Sequence, residues 1–289
     1  MLFIVLSALS SLCVALLLKN ARIKGIDTFQ LIGWNYFSAL ILCGVVLKPS
    51  LLVLEQPNMP WPWLVLLAVL LPSVFVVYSI TLEKAGLIRT EIAQRLSLVI
   101  ALIAAFALFG DVATPLKVAG ILLGVVAVLL LTVQKYQGSS PLNKGASVML
   151  LLVWIGYGVI DITLKQIALS GMAFTVALSV SFLLAFTGML LTMLYRHHAG
   201  LSKMSHRNFY LGLLLGVFNF ANISLYIKAH QTFSDQPAIV FASMNILVVT
   251  LGVLAGAYFY KEIIRPLTVI ALALCFSAIG LLTWSQWSI

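Results

Sequence analysis

A chain of 289 residues that is 62% hydrophobic and only 9% charged is not an ordinary soluble domain, in which about a quarter of the residues carry charge. Its formal net charge of +9 does not point to nucleic acid, because basic residues collect in the short loops between membrane spans. The three cysteines, Cys13, Cys43 and Cys275, all fall in apolar stretches, where they act as small apolar residues; no disulfide framework or cysteine metal site is implied.

A helix rises about 1.5 Å per residue, so about 20 apolar residues cross a ~30 Å hydrocarbon core. Ten stretches meet that length: Leu2 to Leu18, Phe29 to Leu47, Pro62 to Leu82, Glu91 to Leu108, Pro115 to Val133, Ala146 to Ala168, Phe174 to Tyr195, Phe209 to Lys228, Pro237 to Tyr258 and Ile264 to Trp284. The connections are too short for a soluble catalytic domain, which puts the function inside the membrane. The first stretch lacks the basic n-region of a signal peptide, and Lys19, Arg22 and Lys24 stand where a small-residue cleavage site would be. It is therefore read as a retained span.

An ionisable group at the bilayer centre costs upward of ~2.5 kcal/mol, so polar residues within the spans need a reason. In span two, Asn35 and Tyr36 are candidates to line a cavity, while Trp34 reads as a lipid or packing contact. Span three carries Pro72 at its middle, which removes a backbone bond and bends the helix, as a hinge or merely as shape. Tyr78 follows. Span four opens with Glu91, Gln94 and Arg95. Arg95 lies about one turn inside, where a guanidinium can grip a carboxylate or phosphate with two hydrogen bonds. The other reading is a structural Glu91–Arg95 pair at the interface.

Span six offers Trp154, Tyr157, Gly158, Asp161 and Lys165, one polar stripe at helical spacing. Either Asp161 faces a cavity and contacts substrate or a proton, or it is neutralised by Lys165 four residues on. Span eight carries Asn219, Asn222 and Tyr226 on one face, and Asn245 lies in span nine. Interhelical Asn contacts serve packing as readily as binding. Two pairs, Gly120 with Gly124 and Gly252 with Gly256, have the spacing that lets helices approach closely, within the fold or at a dimer contact. His197, His198 and His206 share a polar loop with Arg196 and Lys203 and read as solvated residues, without diagnostic metal spacing.

Loops after the odd-numbered spans hold 13 of the 17 Lys and Arg residues, Arg95 counted among them. The opposite side has Lys48, Lys117, Lys165 and Lys228. The positive-inside rule makes the first group cytoplasmic and predicts both termini outside, in the plasma (inner) membrane.

The chain also repeats itself. Asp111-Val-Ala-Thr-Pro115-Leu116 returns as Glu262-Ile-Ile-Arg-Pro266-Leu267 at an offset of 151, which also carries Gln94 onto Asn245. Leu18-Lys19-Asn20 matches Leu164-Lys165-Gln166 at 146, and Lys84-Ala85 matches Lys228-Ala229 at 144, an offset that takes Tyr78 onto Asn222. The polar loop His230 to Gln236 supplies the insertion between these offsets. Each half, residues 1–138 and 139–289, holds five spans, an odd number, so the halves must be inverted relative to each other. Such repeats place a substrate site near the midplane between them. Gly138-Ser139-Ser140-Pro141 marks the junction.

Ten short-looped spans in a 5+5 order resemble the drug/metabolite transporter superfamily, specifically its EamA-like branch. Gly110-Asp111 and Lys261-Glu262 stand where that family places an acidic residue before a Pro and a small-residue-rich span, and Tyr226-Ile-Lys228-Ala229 is similar to its usual ending of span eight. The resemblance covers essentially the whole chain and implies efflux of amino acids, drugs or related metabolites. Many members have cytoplasmic termini, the reverse of the charge-based reading.

No phosphate-binding G-x-x-x-x-G-K-[ST] loop, H-E-x-x-H or G-x-S-x-G motif occurs, so neither ATP hydrolysis nor a familiar hydrolase site is implied. The expectation is an all-α integral membrane transporter of ten helices, with no cofactor. Its partners are a small-molecule substrate and lipid, as a monomer or homodimer. Its candidate substrate site comprises Asn35, Tyr36, Tyr78, Gln94, Arg95, Trp154, Tyr157, Asp161, Asn219, Asn222 and Asn245. An intramembrane enzyme using Asp161 and a purely structural subunit are the alternatives.

Overall fold

The computed structural model describes residues 1–49, 59–109, 114–133, 144–233 and 237–285, and every regular element among them is helical. In chain order these are α1 (Leu2–Ile23), α2 (Thr28–Leu42), α3 (Trp61–Lys84), α4 (Leu87–Arg95), α5 (Leu98–Phe109), α6 (Pro115–Val133), α7 (Lys144–Leu169), α8 (Phe174–His198), α9 (His206–Thr232), α10 (Pro237–Tyr260) and α11 (Pro266–Ser285). Eight are long and apolar enough to cross a membrane: α1, α2 with the π-helical turn Cys43–Leu47 that continues it, α3, and α7 to α11. The protein is an all-α, multi-pass membrane-spanning bundle. The expected junction at 138–141, the acidic position Asp111 and the end of the inserted loop at 234–236 lie outside the described residues.

Local chemistry sets several helix ends. Pro115, Pro237 and Pro266 begin α6, α10 and α11, where a missing N–H costs nothing. Asp27 caps α2 by accepting from the amides of Phe29 at 2.8 Å and Gln30 at 3.3 Å. Helices α8 and α9 run past their apolar stretches into polar residues, to His198 and from His206, because the bilayer limits the apolar run rather than the helix.

The expected fourth span departs most from its pattern. It is two helices, α4 starting ahead of Glu91 and α5 following a turn at Leu96-Ser97. Residues 87–109 contain neither Gly nor Pro, so nothing local announces the break. Its support is in part tertiary: the indole N–H of Trp154 donates to the Leu96 carbonyl at 2.9 Å, an oxygen that also accepts from the Val99 amide at 3.0 Å across the turn. In contrast, α3 continues through Pro72.

Helix α2 packs on α8 and α9, α1 on α9 and α10, α3 on α7 and α8, α4 on α7 and α10, and α6 on α11. Glycines make the close crossings. A Cβ on Gly212 or Gly216 of α9 would lie 2.5 Å from Trp34 Cβ or the Asn35 carbonyl oxygen of α2. Gly120 and Gly124 meet Leu282 of α11 and Val99 of α5, and Gly252 and Gly256 meet Glu91 and Ile88 of α4. Both glycine pairs singled out in the sequence therefore pack within the fold.

One end of the bundle gathers ion pairs. Arg22 pairs with Glu83 at 2.7 Å, Arg196 with Asp27 at 3.5 Å, and Lys19 with Glu262 in a buried contact. Arg95 does not belong to this end. It closes α4 and faces inward, which corrects its place in the charge count without reversing the asymmetry.

Candidate substrate chamber

The site is built from α4 outward. Glu91, Gln94 and Arg95 sit at i, i+3 and i+4 and so share one face. The Glu91 carboxylate accepts the hydroxyl of Tyr78 from α3, and Arg95 Nη2 donates to Ser11 Oγ of α1 at 3.1 Å. Each member of the suspected Glu91–Arg95 pair thus has a partner on another helix. Both keep unused capacity, since Glu91 Oε2 and Arg95 Nε are buried without a hydrogen-bond partner among the described residues. Just past the helix break, Ser97 Oγ donates to Asp161 Oδ2 of α7 at 3.3 Å.

Two cavities meet on this face. The smaller, about 200 Å³, is walled by Ser11, Tyr36, Phe75, Tyr78, Phe182 and Asn219. The larger, about 450 Å³, is walled by Arg95, Ser97, Asp161, Phe174, Tyr226 and Asn245. Gln94, Tyr157, Asn222 and Ile223 border both, and the two adjacent cavities are taken together as the lobes of one chamber. The larger lobe extends toward the end where α8 begins, and Phe174 in its wall is 44% exposed. Aromatic rings shape the smaller lobe. Tyr78 lies edge-on to Tyr157 with centroids 6.0 Å apart, and Tyr36 contacts Phe182 at 5.9 Å.

Arg95 and Asp161 give the larger lobe a cationic and an anionic group, with amides of Gln94, Asn222 and Asn245 between helices. Such a space suits a small solute carrying both charges or several hydrogen-bonding groups.

Nine of the sequence candidates therefore border the chamber: Tyr36, Tyr78, Gln94, Arg95, Tyr157, Asp161, Asn219, Asn222 and Asn245. Two do not. Asn35 is fully buried and accepts from Asn219 Nδ2 at 3.1 Å, holding α9 to α2 behind the wall. Trp154 turns to the Leu96 carbonyl and packs among Ile88, Ile92 and Leu96. Gly158 lies against Ile100, where a Cβ would come within 2.6 Å, so it is a packing position in the stripe. Sequence reading passed over Ser7, Ser11 and Ser97. Ser7 Oγ lies 2.8 Å from both the carbonyl oxygen and Oδ1 of Asn222. Serines in the otherwise apolar first stretch were the available signal.

Residues 1–133 match the sequence profile of the EamA-like transporter family. The chain is 38% identical over 281 residues to an uncharacterized protein of Haemophilus influenzae (strain ATCC 51907 / DSM 11121 / KW20 / Rd), covering 96% of this chain and 95% of that protein. One crystal structure superimposes with a TM-score of 0.56 at 18% identity, covering 96% of this chain and 98% of its own, a likeness of fold. The first part of the chain, residues 1–133, is thus similar to the EamA-like transporter family. The multi-pass helical bundle and this match agree with a membrane-embedded protein of transport type.

Proposed function

We propose that the protein is a secondary-active transporter that exports small polar metabolites, amino acids among them, by alternating access around the two-lobed chamber. The observation that carries this reading is the chamber itself, which sets Arg95, Asp161 and several amide side chains in otherwise apolar walls and is bordered by α1 to α5 on one side and α7 to α10 on the other. In the proposed complex the Arg95 guanidinium takes a substrate carboxylate, and Asp161 faces its ammonium group. Gln94, Asn222 and Asn245 hydrogen-bond the polar remainder, with Tyr36, Tyr78, Tyr157 and Asn219 shaping the second lobe.

Ten spans in two inverted five-span repeats, 1–138 and 139–289, complete the proposal. Helix packing supports it. Exchanging each span with its repeat partner carries the α1–α9 contact onto α3–α7, α2–α9 onto α3–α8, and α1–α10 onto α4–α7. The α2–α8, α4–α10 and α6–α11 contacts map onto themselves. In this reading α4 and α5 form one broken span. Half-helices meeting at a central site are a recurrent feature of transporters built from inverted repeats. The basic end faces the cytoplasm and both termini face outward, in the inner (plasma) membrane.

Counterflow in proteoliposomes tests the function: vesicles preloaded with one unlabelled solute should accumulate the same solute labelled, for at least one zwitterionic amino acid. No protein-dependent accumulation of any amino acid, amine or polar metabolite would overturn it.

A further inference from the structure

The acidic residue of the second repeat motif, Glu262, does not line the chamber, yet three donor groups from two helices converge on its carboxylate. Lys19 of α1 donates to Oε1, and the amides of Leu87 and Ile88, at the start of α4, donate to Oε1 at 2.7 Å and Oε2 at 3.1 Å. Gly86 is shaped around it: φ there is +90°, and a Cβ would come within 2.9 Å of the carboxylate. A side chain at 86 would meet both a steric and a conformational obstacle. The ion pair is buried, its side chains 5% and 8% exposed. Lys19 Nζ also lies 3.8 Å from the centre of the Tyr260 ring, whose hydroxyl donates to Asn20 Oδ1 at 3.0 Å. Arg22–Glu83, by comparison, is exposed and joins two helices of the first half.

This knot connects directly to the chamber. Helix α4 carries the carboxylate's grip at Leu87 and the chamber's Gln94 and Arg95 about 11 Å further along, at 1.5 Å per residue. Lys19 stands about 12 Å along α1 from Ser11, the partner of Arg95. The chamber's larger lobe reaches toward the opposite end of the bundle. Glu262 is aimed by a turn in which Lys261 takes a left-handed φ of 53° and the Glu262 amide returns to the Gly256 carbonyl at 3.1 Å. Non-glycine residues rarely hold that conformation, so the surrounding contacts must keep the turn in place.

Resting on the transport reading, we infer that Glu262 is the gate and positioning residue of the Lys19 end. Held by Lys19 and the start of α4, it closes that route to the chamber and fixes Arg95. Released, it frees α4 and α1 to separate from the α10–α11 turn and admits solvent from that side.

Gating is read by labelling rather than flux. With the three native cysteines replaced by alanine and a reporter at Gln94→Cys, an impermeant thiol reagent is applied separately to each side of the membrane. Glu262→Ala is expected to raise labelling from the Lys19 side at least fivefold, with Glu262→Gln intermediate. Unchanged labelling from that side in folded protein overturns the gate, whether or not the protein transports anything. A second variant keeps the test open should these changes impair folding. In the cysteine-free chain, joining Lys19→Cys and Glu262→Cys with a bifunctional methanethiosulfonate linker, which can bridge the reach of the two long native side chains, is expected to lower counterflow at least tenfold, with recovery on reduction and solute binding retained. Unimpaired counterflow in fully cross-linked protein also overturns the gate. Absence of counterflow in the cysteine-free parent would count against the transport reading alone.

Discussion

Gly216→Ala tests the packing that brings α9 to the chamber. The added Cβ would lie 2.5 Å from the Asn35 carbonyl oxygen and 2.5 Å from Ser38 Cβ, both on α2. The carbonyl is backbone, so relief requires the two helices to part, and such overpacking costs about 1–3 kcal/mol. Against this, alanine is favoured over glycine within a helix by about 1 kcal/mol in water. Gly188 of α8 provides the reference, because a Cβ there meets nothing within 4 Å. Gly188→Ala and Gly216→Ala share the propensity gain, so the difference between them isolates the crossing, at about 1–3 kcal/mol. Reversible unfolding in mixed micelles, followed by tryptophan fluorescence, measures both. Gly188→Ala is expected to be neutral to stabilising and Gly216→Ala destabilising relative to it. Equal shifts would refute the close α2–α9 crossing. With it would go the packing reason for Asn219 and Asn222 standing where they do.

Asp161→Asn keeps the shape of the larger lobe and removes its negative charge; counterflow should fall at least tenfold with expression near normal, and loss of folded protein would assign Asp161 a structural role instead. Tyr78→Phe leaves the buried Glu91 carboxylate without its recorded donor, a loss of about 1.5–3 kcal/mol for a hydrogen bond to a charged group. A double-mutant cycle with Glu91→Met, which removes the acceptor, should return a coupling of about 1 kcal/mol in unfolding measurements, and strict additivity would deny the bond. Lys203→Cys should react with an impermeant thiol reagent only from the cytoplasmic side; reaction in intact cells would invert the orientation drawn from the Lys and Arg bias, which stands at 12 to 4 once Arg95 is set aside.

The helical class was legible because apolar runs of bilayer length leave few alternatives, and polar residues inside them stand out against that background. Tyr157, Asp161 and Asn222 could be singled out on this ground, and all three border the chamber. Periodicity gives a face, however, not a neighbour. Trp154 shares the stripe with Tyr157 and Asp161 but is taken by the Leu96 carbonyl, at a break that neither Gly nor Pro marks within residues 87–109. Asn35 sits beside Tyr36 in the chain, yet the crossing at Gly212 and Gly216 turns it toward Asn219. The Glu262 knot was invisible for a related reason. The motif located the acid, but its partners Lys19, Leu87 and Ile88 lie more than 170 residues away, and they meet it only once α1, α4 and the α10–α11 turn are assembled.

A structure determined with a transported amino acid bound bears most directly on the claim that this chamber is the transport site. The account predicts the ligand's carboxylate within hydrogen-bonding distance of the Arg95 guanidinium and its ammonium group facing Asp161, with Gln94 and Asn222 alongside. A ligand held elsewhere, for example in the apolar groove of α3 and α8 beside Pro72 and Gly188, with the chamber empty, would contradict it.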